Sequence, residues 1–232
     1  MLQELRFYDQ LLRFSLFQGL SRTELMQMAG NTKFGFLKVP AGKSVVREGD
    51  ACQMLYFLIS GQLALVTHSD DRRYRVEEQL AAPWLLQPEV LFGVHTRFSS
   101  SVRTVTESHF ITLSKDEVLR LSDDFLIFRL NLLNLLSTQA QRRGHQQWRR
   151  TPAGLRQRIV RFLMDHCVYP AGPKMVYILM EQLAHELNDS RLDVSRALNA
   201  LQADGLLTLH RGRIEVSSLE RLISQSADSP LD

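Results

Sequence analysis

Polar side chains lie on one face of a predicted helix near the carboxyl end of the chain. Arginine and asparagine can hydrogen-bond to base edges in the major groove of DNA, and serine and arginine can bind its phosphates. The spacing of these residues predicts a surface that reads nucleic acid. The face consists of Ser190, Arg191, Leu192, Ser195, Arg196 and Asn199.

The elements that must position this face follow from local signals. Ser190 with Asp193 three residues later predicts a capping box at the start of the helix, in which each residue satisfies a backbone N–H of the other. Gly205 stands where a left-handed residue would end the helix. An apolar stripe between them predicts the buried face, and it contains Val194, Ala197, Leu198 and Leu201.

The surrounding segment, residues 178–216, predicts a winged helix-turn-helix. Residues 183–187 give a preceding helix an apolar face, and Asn188 and Asp189 supply a turn. Alternating apolar residues then flank Arg211, Gly212 and Arg213, which predicts a hairpin with two phosphate-binding arginines. An isolated capped helix with outward arginines is most often an ordinary solvated helix. The whole pattern favours double-stranded DNA as the partner.

Composition and charge agree with this interpretation. Residues 1–140 hold 15 Lys and Arg against 15 Asp and Glu, whereas residues 141–232 hold 13 against 10. The excess of positive charge therefore lies in the predicted DNA-binding part. Cys52 and Cys167 form no CxxC pair, no signal-peptide pattern is seen, and no apolar run reaches the roughly 20 residues of a membrane span. A cytoplasmic protein without a membrane partner is expected.

The first half of the chain predicts many short strands. A capped helix is expected after Ser21, which has Glu24 three residues later. Turn residues then separate apolar or alternating runs, which favours a jelly-roll-type β-roll with room for a small molecule. The predicted strands cover residues 45–46, 55–59, 63–66, 80–86, 102–105 and 110–113.

One long helix is predicted from Ser114 to about Arg143. Its apolar residues repeat at spacings of 4 and 3, as in a coiled-coil seam, which predicts a homodimer. A second apolar face, with Leu130, Leu133 and Leu136, predicts that the helix also packs on its own domain, and both interpretations can hold. The predicted dimer interface consists of Leu121, Phe125, Phe128, Leu132, Leu135 and Gln139.

Four segments together resemble the Crp/Fnr family of bacterial transcription regulators. They are residues 16–25 (LFQGLSRTEL), 39–42 with 48–50 (VPAG and EGD), 55–61 (LYFLISG) and 190–198 (SRLDVSRAL). The resemblance covers almost the whole chain. It implies an α+β protein with an effector-sensing β-roll over residues 1–113, a dimerisation helix and hinge over 114–148 and a winged helix-turn-helix over 149–232. It also implies an inverted-repeat operator and control of transcription through RNA polymerase.

The chain departs from the family at the expected effector pocket. Cyclic-AMP-binding members carry Gly-Glu and, downstream, Arg-Ser or Arg-Thr, whose arginine pairs with the cyclic phosphate. Here Pro88 and Glu89 stand at the first position, and Arg97 is one residue out of register at the second. Without that arginine a charge-assisted interaction is lost, so cyclic AMP is not expected. The predicted pocket residues are Glu89, Val90, Phe98, Ser99 and Ser100.

A second departure lies in the recognition helix. Where the family often has a glutamate, this chain has Leu192. Glutamate accepts a hydrogen bond from the cytosine amino group, whereas leucine can only pack on a thymine methyl. A different preferred base pair is expected at that position.

The sequence has few residues arranged for metal binding or catalysis. Two cysteines cannot supply the four thiolates of an iron-sulfur cluster, and no zinc spacing, nucleophile elbow or phosphate-binding loop is present, so neither a metal site nor an enzyme is expected. The effector stays open as a small molecule or as a redox or gas signal other than cyclic AMP. Haem stays open as a cofactor, and an interaction module with a reused helix-turn-helix stays open as an alternative function. The candidate haem ligands are Met54, His68, His95 and His109.

Overall fold

The computed structural model describes residues 2–227, with side chains described for 7–145 and 148–226. It forms two compact units. The first contains the chain up to Leu63 together with Leu80–Gln147, and the second contains Ala64–Gln79 and the chain from Trp148 onward. Sequence reasoning placed Ala64–Gln79 in the β-roll domain, because no local signal marks it as part of the second unit.

The first unit begins with helices and continues as a roll of short strands. The elements of this half of the chain are α1 (Leu2–Leu11), a 3-10 turn (Ser15–Phe17), α2 (Arg22–Asn31), β1 (Gly35–Val39), β2 (Ser44–Val46), β3 (Met54–Ser60), β4 (Gln62–His68), β5 (Arg75–Ala81), β6 (Trp84–Leu85), a 3-10 turn (Pro88–Val90), β7 (Ser101–Thr104) and β8 (Ser108–Ser114). Most of β4 and β5 belongs to the second unit. In the first unit, β1, β8, β3 and β6 are hydrogen-bonded neighbours in that order, and β2 pairs with β7.

Most of the predicted strands are confirmed, and so is the capping box of Ser21 with Glu24. The predicted strand over residues 80–86 is wrong. There β5 ends at Ala81 and β6 begins at Trp84, with Pro83 between them, because proline has no N–H to donate to a ladder. The strand β1 was not predicted, since three of its five residues are exposed and no apolar alternation marks it.

The long helix predicted from Ser114 onward is interrupted. The structure has α3 (Lys115–Asp124) and α4 (Leu126–Gln147), separated by Phe125 in an extended conformation with φ −127° and ψ 103°. Asp123 and Asp124 close α3, where acidic side chains oppose the helix dipole. The break turns the aromatic ring of Phe125 into the core, where it is 7% exposed.

The same packing covers most of the predicted dimer interface, so the prediction needs correction. Four of its residues are buried in the core of their own chain, and Phe128, for example, packs on Phe17 with ring centroids 5.6 Å apart. A side chain covered by its own subunit cannot also line a subunit interface. The buried four are Leu121, Phe125, Phe128 and Leu132, while Leu135 and Gln139 are half-buried.

The second unit has the winged helix-turn-helix pattern. Besides β5, its elements are α5 (Leu155–Asp165), β9 (Lys174–Tyr177), α6 (Met180–Glu186), α7 (Arg191–Ala203), β10 (Thr208–His210), β11 (Arg213–Val216) and α8 (Leu219–Ala227). Its sheet has the strand order β10-β11-β9-β5, in which β9 pairs antiparallel with β5 from Arg75↔Tyr177 to Glu78↔Lys174. Together with the roll and α4, these elements confirm the predicted fold class.

A buried ion pair holds the segment Ala64–Gln79 within this unit. Glu78 and Lys174 are 3.0 Å apart, and their side chains are 1% and 0% exposed. The Glu78 carboxylate also accepts hydrogen bonds from the N–H groups of Val168 (2.7 Å) and Tyr169 (3.1 Å), and Lys174 Nζ donates to the Ala171 carbonyl (2.8 Å). Because every charge is paired and hydrogen-bonded, the pair can exist without contact to water.

Candidate nucleic-acid interface and effector cradle

The start of α7 is capped, but not by the reciprocal box that the sequence predicts. Ser190 Oγ accepts a hydrogen bond from the Asp193 N–H (3.1 Å), as expected, and it also donates to Asp193 Oδ2 (2.6 Å). The Ser190 N–H donates instead to Asp189 Oδ1 (2.7 Å). Aspartate is one methylene shorter than the glutamate of a full capping box, which explains why Asp193 bonds to the hydroxyl rather than the backbone.

The turn between α6 and α7 is held by a residue from outside the motif. Asn188 adopts a left-handed conformation with φ +49°. Arg158 on α5 donates to the Leu187 carbonyl (2.8 Å) and to Asp189 Oδ2 (2.5 Å), and so fixes both sides of the turn. Sequence reasoning missed Arg158, because it lies about 30 residues from its partners and no local pattern distinguishes it.

The predicted reading face of α7 is presented to solvent. Leu192 is 60% exposed, the Arg196 side chain is 70% exposed, and Arg191 and Asn199 are exposed as well. On the opposite side Val194, Leu198 and Leu201 are fully buried, as the apolar stripe predicts. Gly205, with φ +68°, ends the helix in a Schellman arrangement, as expected.

Two polar residues of this face bond to the helix itself. Asn199 Nδ2 donates to the Ser195 carbonyl (2.8 Å), and Ser195 is half-buried. Arg196 lies 3.4 Å from Asp193, an exposed ion pair of little energetic weight. These contacts are weak enough for base edges or phosphates to replace them.

The wing is a two-residue hairpin between β10 and β11. Its tip is formed by Arg211, which is exposed, and Gly212, whose φ is +70°. Arg213 is half-buried at the start of β11. Gln202 Oε1 accepts a hydrogen bond from the Leu209 N–H (2.6 Å), which links the end of α7 to the wing. The helix and the wing are therefore held as one surface.

Further arginines lie beside the wing, at the turn between β4 and β5. The turn and the wing line one open pocket of about 200 Å³. Arg75 stacks over the ring of Tyr177, with the guanidinium carbon 3.9 Å from the ring centroid, and Arg73 pairs with Asp71 at 3.2 Å. Sequence reasoning did not place these arginines near the wing, because only the pairing of β5 with β9 brings them there.

The second candidate site lies in the roll and centres on Gln87. This residue is 8% exposed and has φ +35° and ψ 54°. Its Oε1 accepts three hydrogen bonds: from the Ser99 N–H (2.9 Å), the Ser99 hydroxyl (2.9 Å) and the Ser100 N–H (3.1 Å). Its Nε2 donates to the Ser100 carbonyl (3.0 Å). We call this arrangement the Gln87 cradle.

The structure brings some of the predicted pocket residues to this cradle. Ser99 and Ser100 form its donors, and Phe98 is buried beside them, with its ring centroid 6.3 Å from that of Tyr56. Glu89 and Val90 lie in the 3-10 turn that follows Gln87. The Glu89 carboxylate pairs with Arg143 on α4 at 2.9 Å. Gln87 itself was missed, since a glutamine with positive φ has no sequence signature.

The candidate haem ligands do not converge. Met54 pairs with Ser114 at one end of the β3–β8 ladder, and His109 pairs with Ser60 at the other. His95 is exposed in the loop before β7. Over the residues with described side chains, no three His, Cys, Asp or Glu side chains form a group that could hold a metal ion.

Both thiols are poorly ionised. Burial raises the pKa of Cys52, and burial, reinforced by the negative charge of Glu78, raises the pKa of Cys167 to about 12. A thiolate is the reactive form of cysteine, so neither residue is activated for redox chemistry. Within residues 2–227, no helix has the length and apolar character that a bilayer crossing needs.

Comparisons with known proteins agree with this architecture. Residues 36–125 match the family described as Cyclic nucleotide-binding domain, and residues 157–224 match the Crp-like helix-turn-helix domain. The cyclic AMP receptor protein of Thermus thermophilus is 29% identical to this chain, over 76% of this chain and 81% of that protein.

Solved structures share the fold. A putative transcriptional regulator of the Crp/Fnr family from Eubacterium rectale is 19% identical, with a TM-score of 0.50 over 93% of this chain and 99% of that chain. The sensor domain of the transcriptional regulator DNR from Pseudomonas aeruginosa is 22% identical, with a TM-score of 0.51 over 62% of this chain and 94% of that chain. The Thermus relative is a receptor protein and the carboxyl half matches a Crp-like helix-turn-helix domain, in line with the expectation that the chain is not an enzyme.

The cradle does not fit a cyclic phosphate. Its three donors already bond to Gln87, and Pro88 has no N–H to offer. Arg97 does not replace the missing arginine, because its guanidinium donates to the Gly49 carbonyl (2.7 Å) on the exposed side of the loop. The donors of the cradle are thus taken up by the Gln87 side chain of the same chain.

Proposed function

Because the chain belongs to the Crp/Fnr family of transcription regulators, we propose that it acts in the bacterial cytoplasm as a homodimer on an inverted-repeat operator. In this proposal it controls transcription by RNA polymerase in response to an effector other than cyclic AMP. The observation that carries the proposal is the reading face of α7. Its two arginines and one asparagine are exposed, while the opposite face is fully buried.

The arrangement of this face supports a division of roles. Arg191 and Arg196 have the reach and the donor geometry for guanine O6 and N7, and Leu192 for a thymine methyl group. The Ser190 hydroxyl lies at the start of α7, where the helix dipole favours a phosphate. Ser195 and Asn199 serve as phosphate or base partners, and Arg211 and Arg213 of the wing as phosphate partners. A reused helix-turn-helix would have no need for cations on this face.

Dimerisation is supported by a second face of α4. Leu126, Leu130 and Leu133 are 57%, 45% and 55% exposed, at spacings of 4 and 3. Exposed Ser137 and Ala140 continue the same spacing. We call these five residues the α4 seam. A seam of this period, apolar and then small, is typical of two helices packed as a coiled coil, so a second copy of the chain is the proposed partner.

The roll is the proposed effector domain, and the Glu89–Arg143 pair joins it to the dimerisation helix. Glu89 follows directly on the Gln87 cradle, and its partner Arg143 lies on α4, the helix of the seam. An effector that moved the turn Pro88–Val90 would therefore act on α4. Because both thiols have raised pKa values, the effector is proposed to be a small molecule rather than a thiol oxidant.

Selection of bound duplexes from a random DNA library tests the proposal. The purified full chain is used without added effector at near-physiological salt, and then again with a bacterial small-molecule extract. An inverted repeat with half-sites one helical turn, about 34 Å, apart is expected in at least one condition. Retention of DNA without any shared sequence in both conditions would contradict it and favour the interaction-module alternative.

The same selection tests the placement of Leu192. With Leu192→Glu, the preferred base pair at one position of each half-site is expected to change to one with a cytosine amino donor. Leu119→Glu is the matched control, because Leu119 is 48% exposed on α3, outside the helix-turn-helix. An unchanged preference in the Leu192→Glu protein would show that this residue does not face the bases.

A further inference from the structure

Three donors of the Gln87 cradle converge on one oxygen. The N–H groups of Ser99 and Ser100 and the hydroxyl of Ser99 all lie within 3.1 Å of Gln87 Oε1. A carboxamide oxygen has two lone pairs, so three donors are more than a neutral acceptor normally receives. Phosphate and carboxylate oxygens, which carry charge, are the acceptors that such clusters of backbone and hydroxyl donors suit best.

The fourth hydrogen bond explains why the residue is glutamine. Gln87 Nε2 donates to the Ser100 carbonyl at 3.0 Å. A carboxamide therefore bonds to both the donors and the carbonyl of the loop, whereas an anion cannot donate a hydrogen bond to that carbonyl. Because Gln87 and Ser100 are 8% and 2% exposed, water has little access to replace either contact.

The backbone of Gln87 indicates that the side chain is held in place against a local preference. Its φ of +35° is uncommon for a residue other than glycine and costs free energy. Four hydrogen bonds from one side chain offset that cost. Glycine would adopt the same backbone without strain but would leave the three donors of the loop without an acceptor.

We propose that Gln87 is an internal ligand of the roll: its carboxamide oxygen fills an oxyanion cradle formed by Ser99 and Ser100, and so excludes effectors that bind through a phosphate or carboxylate. The proposal deepens the proposed function, because it rests on the roll being the effector domain. The loop over residues 87–100 then holds its arrangement without any bound anion. An effector must act on the roll through other groups.

Removing the side chain tests the proposal directly. In Gln87→Gly the donors lose their acceptor while the backbone strain is relieved, so inorganic phosphate is expected to bind there. Binding is followed through the amide NMR signals of Ser99 and Ser100 as phosphate replaces chloride at constant ionic strength. The variant is expected to bind phosphate about tenfold or more tightly than the wild type. Equal affinity of the two proteins would overturn the proposal.

Two further variants separate the cradle from a general charge effect. Gln87→Glu keeps an acceptor oxygen in the cradle, so it is expected to stay insensitive to phosphate. Gln87→Gly with Ser99→Ala removes one donor and is expected to weaken phosphate binding severalfold. Phosphate binding by Gln87→Glu as tight as by Gln87→Gly would show that the carboxamide position is not the cradle.

Amide hydrogen exchange of the wild-type protein tests the proposal without any substitution. The Ser99 and Ser100 amides are expected to exchange slowly with solvent in phosphate-free buffer, and phosphate should leave their rates unchanged. Slower exchange on adding phosphate would mean that the cradle is open to anions and would overturn the proposal. DNA binding is not read out in any of these experiments, so a failure here is distinct from a failure of the proposed regulator function.

Discussion

The reading face of α7 and the Gln87 cradle use hydrogen-bonding groups in opposite ways. The side chains of α7 point into solvent and are satisfied by water or by weak contacts within the helix. In the cradle, Gln87 and Ser100 are buried while Ser99 is exposed, and their groups bond to one another within the chain. An exposed polar group bonds to water when no partner is bound, so it costs little free energy. A buried polar group without a hydrogen bond destabilises the fold, so it needs a partner within the chain.

The difference indicates which part of the molecule depends on an external ligand. The proposed DNA interface needs an external partner to satisfy its side chains, whereas the donors of the Gln87 cradle already have an acceptor within the chain. Substitutions on the reading face of α7 should therefore weaken DNA binding and leave the free energy of unfolding unchanged. Substitutions in the Gln87 cradle should lower the free energy of unfolding and leave DNA binding unchanged. Four experiments test this contrast.

The largest effect is expected from Arg191→Ala combined with Arg196→Ala. Losing two bidentate base contacts should weaken binding to the selected operator about 1,000-fold, measured by fluorescence anisotropy. The urea midpoint should stay that of the wild type, because both side chains are exposed. Arg221→Ala, at an exposed position of α8, is the control. A parallel loss of stability would mean that α7 is also a structural element.

A smaller loss of operator affinity is expected when aspartates replace leucines of the α4 seam. Leu130→Asp with Leu133→Asp should convert the dimer into monomers in sedimentation experiments, because carboxylates cannot be buried at a coiled-coil seam. Without linked half-site binding, affinity for the full operator should fall about 100-fold. Leu119→Asp is the control, since Leu119 is 48% exposed on α3. Dimers that persist would show that another face joins the subunits.

Gln87→Leu is expected to act on stability alone. Leucine fills a similar volume but removes all four hydrogen bonds of the Gln87 carboxamide, so the free energy of unfolding should fall by about 2 kcal/mol. Gln53→Leu, at an exposed position, serves as the comparison. A wild-type unfolding curve for Gln87→Leu would contradict the view that the cradle is a filled site.

The smallest change is expected from Arg143→Ala. The Arg143 side chain is 67% exposed and that of Glu89 is 19% exposed, so solvent screens their ion pair. The free energy of unfolding should therefore change by less than about 0.5 kcal/mol. A loss above 1 kcal/mol would place Glu89 with the buried, satisfied groups of the cradle rather than with the exposed ones.

Prediction from the sequence succeeded where the signals are local. Ser21 with Glu24 predicts its capping box, Gly205 predicts the end of α7, and the stripe of α7 predicts its buried face. Each signal depends on residues within two helical turns of one another. The Crp/Fnr resemblance and the reading face rest on the same kind of contiguous segment.

Prediction failed where several segments compete for the same core. A spacing of 4 and 3 marks both Phe128, which is buried in its own chain, and Leu130, which is exposed. Only the packing of α3, α4 and the roll decides which face remains for a partner. The break at Phe125 follows from the same competition, because an extended residue there buries one more aromatic ring.

The sequence by itself determined that the chain has a β-roll, a helical connection and a winged helix-turn-helix, because periodicity, caps and turns act over a few residues. Tertiary structure alone decided that Arg158 holds the turn before α7, that Ala64–Gln79 joins the second unit, and that Gln87 fills the cradle. Each of these contacts joins residues 12 or more positions apart. These contacts form only when distant segments pack together, so short-range sequence patterns do not predict them.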